Sequence, residues 1–299
     1  MNRRSNEAAG VTTRGGRRGR GGAVAIACVI AVTAASLAGT GGAAAGPVGG
    51  DVRGPARPLP PVAAGFDYQL GGAYPPPAGV RIVTRDVTAR PARHRFGICY
   101  VNAFQTQSTA RRWWKRHHPR LLLRDASGSL MHDPGWPGEI MLDTSTRHNR
   151  ARLANVIGAQ LRQCARKGYS AVEPDNLDSF NRSKGLLSRA DNLRLAARLA
   201  RIAHRDRLSI AQKNLAGLPA RIGRRVGFDF AVAEDCQVYD ECWRYTRAFG
   251  PHVLEIEYSD EGPANFHRAC AIRGDRISLV YRDRDLVAPG HPHYVFRSC

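Results

Sequence analysis

From Phe66 to the C-terminus one unit recurs: a short apolar run, a polar or acidic residue at its end, then a helical stretch. The runs are Val80–Asp86, Gly97–Asn102, Ile140–Asp143, Ala171–Asp175, Ser209–Lys213, Phe230–Glu234, Val253–Tyr258 and Ile277–Asp283. Apolar residues recur at helical spacing most clearly over Asn149–Lys167 and Ala190–Asp206, and more weakly over Tyr239–Phe249 and Ala264–Ile272. Strands that alternate with helices pair in parallel through right-handed crossovers. Eight such units predict an α/β fold, a single-domain (β/α)8 TIM barrel over residues 65–299. An open doubly wound sheet is the alternative, but no Gly-rich phosphate loop follows the first run. Phe66–Leu70 reads either as a further strand or as a loop leading into the barrel.

The polar residues occupy one place in each unit. Asp86, Asn102, Asp143, Asp175, Lys213, Glu234, Glu257 and Asp283 all fall at or near the C-terminal end of a run. In a barrel those ends meet at one rim, where active sites are built. Helix N-caps also fall there and favour Asp and Asn, but Lys213, Glu234 and Glu257 are poor caps. In Val172-Glu173-Pro174-Asp175-Asn176-Leu177-Asp178, Glu173 and Asp175 are two apart and share the face expected to form the lumen. A buried carboxylate needs a partner or a task. A second apolar run, Ala231-Val232-Ala233-Glu234, also ends in a carboxylate, and Cys236-x5-Cys242 would clamp the loop after it.

Upstream, residues 1–22 carry six Arg and one Glu, and the apolar stretch Ala23–Ala38 is followed by Ala43-Ala44-Ala45. A basic start, an apolar core and small residues at the exit describe an export signal over residues 1–45. The apolar stretch is shorter than the roughly 20 residues that span a bilayer, which makes an uncleaved membrane anchor the lesser reading. Residues 46–64, rich in Gly, Pro, Ala and Arg, read as a disordered linker. Downstream of the signal six cysteines remain, an even number that suits disulfides in an exported chain. Cys236 and Cys242 close a short loop, Cys270 is the nearest partner of Cys299, and Cys99 with Cys164 follow by subtraction.

Charge narrows the partners. Six of the 45 basic residues and one of the 25 acidic ones precede residue 46, leaving a balance of +15 on the exported part. Most of that charge is Arg scattered along helices, without an aromatic-basic motif, so nucleic acid is not an expected partner. Asp229–Glu261 runs the other way, with nine Asp and Glu against Arg244 and Arg247. The expectation is an acidic rim on a basic, monomeric body with no stable membrane insertion after cleavage. Glycoside hydrolysis uses this inventory: one carboxylate attacks the anomeric carbon or activates water, and another protonates the leaving oxygen. Crowding of like charges is expected to raise one of the two pKa values. No nucleophile elbow is evident, and His117-His118 and His291-x-His293 lack clear carboxylate partners, so neither metal nor cofactor is expected.

At these residues the chain resembles glycoside hydrolase family 114, the endo-α-1,4-polygalactosaminidases. The likeness rests on Tyr68-Gln69-Leu70-Gly71, Ile98-Cys99-Tyr100, Gly138-Glu139-x-x-Leu142-Asp143, Glu173-Pro174-Asp175-Asn176-x-Asp178, Gln212-Lys213-Asn214, Glu234-Asp235-Cys236-x-x-Tyr239-x-Glu241-Cys242 and Glu257-Tyr258. Two positions depart from it: Phe66-Asp67-Tyr68 stands where Trp is usual, and Thr144-Ser145 replaces an apolar continuation. The resemblance implies a (β/α)8 barrel that cleaves α-1,4-linked galactosamine-containing polysaccharide internally, with Asp175 as nucleophile and Glu234 as acid/base. Tyr68, Gln69, Asp143, Glu173, Asn176, Asp178, Lys213, Tyr239, Glu257, Tyr258 and Asp283 are the expected substrate contacts. The expected partner is an extracellular polysaccharide, a cationic amino-sugar polymer for which an acidic rim is suited. A catalytically silent carbohydrate-binding barrel and a polysaccharide deacetylase are the alternatives.

Overall fold

The computed structural model describes residues 57–299. Eight strands pair in parallel, each with the next in the chain: β1 (Gly65–Gln69), β2 (Val80–Asp86), β3 (Phe96–Asn102), β4 (Ala171–Asp175), β5 (Ser209–Lys213), β6 (Phe230–Glu234), β7 (Val253–Tyr258) and β8 (Ser278–Arg282). A short β9 (Phe296–Ser298) adds to β8 antiparallel. Strands β1 and β8 lie side by side, so the sheet forms a nearly closed (β/α)8 barrel. At that seam the fully buried Arg282 pairs with Asp67 at 2.8 Å and donates to the Tyr68 carbonyl.

The helices are α1 (Arg111–His117), α2 (Arg147–Lys167), α3 (Arg189–Arg205), α4 (Ala220–Val226), α5 (Cys242–Phe249) and α6 (Pro263–Arg273). Thr146 caps α2 by accepting from Asn149 N, and Gly168 ends it with a left-handed φ of 88°. Ser188 and Asp191 form a reciprocal capping box on α3. The connections β1–β2 and β2–β3 contain no helix.

Alternation sorts the strand residues between two cores. Phe66, Tyr68, Ile82, Ile98, Ala171, Ala211, Phe230, Val232, Leu254, Ile256, Tyr258 and Val280 fill the lumen. Cys99, Val101, Val172 and Ile210 face outward and pack against Leu153, Ile157, Leu161, Leu195 and Leu199 of α2 and α3. Burial on both faces is the reason the strands read as continuous apolar runs.

Two expectations change places. Ile140–Asp143 is not a barrel strand: Ile140, Met141 and Leu142 are buried, yet they make only isolated antiparallel bridges to His132, Gln105 and Leu122. The run is apolar because it fills the space over α2 within the long β3–α2 connection. Phe66–Leu70, left open above, supplies β1 instead, its Asp67 and Gln69 held in buried hydrogen bonds. The six cysteines pair as Cys99–Cys164, Cys236–Cys242 and Cys270–Cys299.

The expected signal (1–45) and the first part of the expected linker lie outside the described residues. The remainder of that linker is fastened to the barrel, with Arg57 paired to Asp229 and the Pro60 carbonyl 3.1 Å from His252 Nδ1. Among the described residues no helix is long and apolar enough to cross a membrane.

Candidate active site

Strand parity carries Tyr68, Tyr100, Glu173, Asp175, Lys213, Glu234 and Tyr258 to the lumen, at or near the C-terminal ends of their strands. Just beyond β4, β5 and β6 stand Asn176 (φ 66°), Asn214 (φ 51°) and Asp235 (φ 53°). Asn and Asp are the side-chain-bearing residues that best tolerate this left-handed turn. The turns leave the last side chain of each strand facing a cavity of about 480 Å³.

Lys213 stands at the centre of the floor, its side chain 1% exposed. Its ammonium donates to Tyr68 Oη at 2.8 Å and Glu173 Oε1 at 3.0 Å. It also lies 3.3 Å from Glu234 Oε2 and 3.6 Å from Asp175 Oδ1. The remaining donors come from the neighbouring strands and the turns beside them. Tyr100 donates to Asp175 Oδ2 at 2.7 Å, and Asn176 N to Asp175 Oδ1 at 2.7 Å. Tyr258 donates to Glu234 Oε1 at 2.6 Å, and Asn214 Nδ2 to Glu234 Oε2 at 2.9 Å.

These contacts set the protonation states. Burial pulls Lys213 down, but Asp175, Glu173 and Glu234 outweigh it and hold the ammonium well above its usual range. Burial also pushes Glu234 up, yet Lys213 and the hydroxyl of Tyr258 and amide of Asn214 win, and its carboxyl sits low. Crowding therefore does not raise Glu234; the intervening ammonium reverses the sign. The raised carboxyls stand around it. Burial lifts Glu173, and Lys213 only partly offsets this. Glu139 rises to about 7, chiefly through burial, with Asp175 and Asp133 adding to it against the Asn102 amide.

One wall of the cavity is the β3–α2 connection, with Asp133, Trp136 and Glu139, together with Asp178 and Arg182. Arg182 pairs with Asp133 at 2.6 Å and Asp178 at 2.8 Å. On the other wall Arg284 stacks on the Tyr258 ring at 4.3 Å and pairs with Asp235 at 3.0 Å.

Of the expected substrate contacts, Tyr68, Asn176, Asp178, Lys213 and Tyr258 line the cavity with Asp175 and Glu234, and Glu173 lies directly beneath. The others are elsewhere. Gln69 bonds Asp67 and Arg85 on the outer face of β1. Asp143 receives Ser145 N and Asn149 Nδ2 at the start of α2. Asp283 ties down Val287 N and Val295 N. Tyr239 is exposed in the loop closed by Cys236–Cys242. Glu257 faces outward, opposite in parity to Tyr258, and accepts from Gln237 N. Burial, reinforced by Glu255, raises its carboxyl to about 8.

Tyr100, Asp133, Trp136, Glu139, Arg182, Asn214 and Arg284 line the cavity without having been expected there. Tyr100 and Asn214 had a readable signal, standing in the lumen register of β3 and directly after Lys213. Cys236, Cys242, Glu255 and Glu257 also converge. The two sulfurs are joined and Glu255 is paired with Arg273 at 2.5 Å, so this grouping offers no open ligand set.

A profile for glycoside-hydrolase family GH114 matches residues 51–299. No curated protein matches the chain. The structure is similar to that of Aspergillus fumigatus Ega3 in complex with galactosamine, with 22% identity over 82% of this chain and 99% of that one and a TM-score of 0.66. It is also similar to the glycoside hydrolase domain of PelA from Pseudomonas aeruginosa, with 18% identity, 76% and 97% coverage and a TM-score of 0.51. Both likenesses concern the barrel fold.

Proposed function

This chain belongs to glycoside-hydrolase family GH114, and from that premise we propose that it is a secreted endo-acting hydrolase of α-1,4-linked, galactosamine-containing polysaccharide, with Asp175 as nucleophile and Glu234 as acid/base. The observation that carries the reading is the single ammonium of Lys213 held between those two carboxylates at the cavity floor. Asp175 Oδ1 and Glu234 Oε2 can be no further apart than the 3.6 and 3.3 Å contacts laid end to end, which favours the closer spacing of a retaining pair. The galactosamine bound to the structurally similar Ega3 supports the substrate class. So does charge: six acidic residues line the cavity against three basic ones, a balance suited to a cationic sugar. The three disulfides are in keeping with secretion.

In the first step Asp175 attacks the anomeric carbon as the glycosidic bond breaks, and protonated Glu234 gives its proton to the departing oxygen. In the second, ionised Glu234 takes a proton from water, whose oxygen replaces Asp175 at the anomeric carbon. Lys213 favours the ionised form that the second step needs. The first step draws on the protonated fraction of Glu234, which grows as pH falls.

The test is incubation with partially de-N-acetylated α-1,4-galactosaminan, sizing the products for the unmodified protein and for Asp175→Asn and Glu234→Gln. Shorter oligomers from the unmodified protein alone are expected. An intact polymer that is nevertheless bound would make this a silent binding barrel.

A further inference from the structure

Beside the catalytic cavity lies a second groove of about 470 Å³, and the two share Leu70, Gly71, Trp136 and Glu139 in their walls. The groove runs over the connections that follow β1, β2 and β3, and Asp86, the last residue of β2, stands in it. Asp86 is held in place by neutral donors: Thr88 N at 2.8 Å and Thr88 Oγ1 at 2.6 Å on Oδ1, Gln107 Nε2 at 2.5 Å on Oδ2. Among the described residues no basic side chain forms an ion pair with Asp86 or Glu139. Lys167 reaches the same turn but gives its ammonium to the carbonyls of Val87, Thr88 and Ala89.

Trp136 forms the ridge between the two spaces, and it is 56% exposed. A large indole left in water at the lip of a polar cleft is a ready surface for the apolar face of a sugar ring. The loop that bears it is braced from below. Asp133, 1% exposed, accepts from Gly135 N at 2.8 Å and Trp136 N at 3.2 Å. Its other oxygen is held by Gln105 and Arg182. A platform fixed in advance loses little freedom on binding.

We propose that this groove is a distal subsite for a further amino-sugar residue of the same polymer, with Trp136 stacking on the ring and Asp86 accepting its ammonium. The inference rests on the substrate reading above and extends it from the cleavage point to the chain beyond. An unpaired carboxylate with its lone pairs partly engaged gains a charge-assisted hydrogen bond from such a cation, and the indole face attracts the same charge.

The experiment is calorimetric binding of galactosamine oligomers of increasing length to the Asp175→Asn protein, alone and with Trp136→Ala or Asp86→Asn, each variant first shown to melt like its parent. Affinity in the parent should climb until the oligomer is long enough to pass Trp136. Asp86→Asn should then weaken the long oligomers about tenfold, the scale of one hydrogen bond to a charged group, and leave the shortest unchanged. Trp136→Ala, which alters a wall shared with the catalytic cavity, should weaken the long oligomers more than the short ones. Full N-acetylation of the oligomer should erase the Asp86→Asn effect. Unchanged affinity for long oligomers, or equal losses at every length, overturns the subsite alone. If galactosamine oligomers of no length bind the parent, the substrate reading fails and the subsite with it.

Discussion

Tyr258 donates its hydroxyl to Glu234 Oε1 at 2.6 Å, and the guanidinium of Arg284 stands over the Tyr258 ring, 4.3 Å from its centroid. The carboxylate is thus oriented by a phenol that is itself held by a cation. An acid/base so placed moves its proton along a fixed direction. Glu234→Gln should be severely impaired on polymer and recover partly on a glycoside whose leaving group departs without a proton. Asp175→Asn should be inactive on both, with oligomer binding retained. Rates on the two substrates for each variant check the assignment, and near-normal turnover by folded Asp175→Asn would falsify it.

Lys213 is expected to bear on both activity and folding, since it pairs with Glu173, Asp175 and Glu234. Since its ammonium holds Glu234 low, Lys213→Met should raise that carboxyl and carry the alkaline limb of kcat/KM to higher pH. The same substitution leaves Glu173 buried without its cation, a loss of about 3–5 kcal/mol. Adding Glu173→Gln should restore most of that stability. Urea unfolding of the single and double variants and a pH profile of the double variant read the two effects separately. A double variant no more stable than Lys213→Met would show that Glu173 is not the group Lys213 compensates.

Glu257 predicts a slope in stability. Its folded pKa of about 8 lies above the ordinary carboxylate range because of burial first and Glu255 second. The folded state therefore keeps a proton that the unfolded chain has released. Stability from this group falls as pH rises from the usual carboxylate range towards 8. Glu257→Gln should flatten that fall, seen as a smaller difference in melting temperature between pH 5 and pH 8.

The disulfides should separate stability from activity. Cys99–Cys164 spans 65 positions and Cys236–Cys242 only 6. Loop-closure entropy gives about 4 kcal/mol for the first and about 2 kcal/mol for the second. Replacing the long pair by Ser should lower the melting temperature more. Replacing the short pair should cost relatively more activity, because its loop begins directly after Glu234 and Asp235, the partner of Arg284. Melting curves and turnover of the two double-Ser variants make the comparison.

The barrel was legible because each apolar run stops at or near a polar or charged residue, and the spacing of two between Glu173 and Asp175 put both on one face. Parity was harder to read where both faces are buried. On β7, Leu254, Ile256 and Tyr258 enter the lumen while Glu255 and Glu257 point outward. The acidic residues do alternate with the apolar ones, but every position of the strand is buried, so the alternation does not say which set faces the lumen. Ile140–Asp143 resembled a strand because a buried bridge and a buried strand demand the same residues. Trp136, Glu139 and Arg182 come from connections without a period, so only the folded chain brings them to the cavity.

The missing helices between β1 and β2 and between β2 and β3 leave the lip at this side of the barrel made of connections alone, residues 70–79 and 87–95. Such surface connections accept insertions at small thermodynamic cost. Lengthening or shortening them would change how much polymer is gripped beyond the cleavage point without disturbing Lys213 or the carboxylates it joins. The size of the oligosaccharides released is then a character that can diverge between related enzymes while the bond-breaking chemistry stays the same.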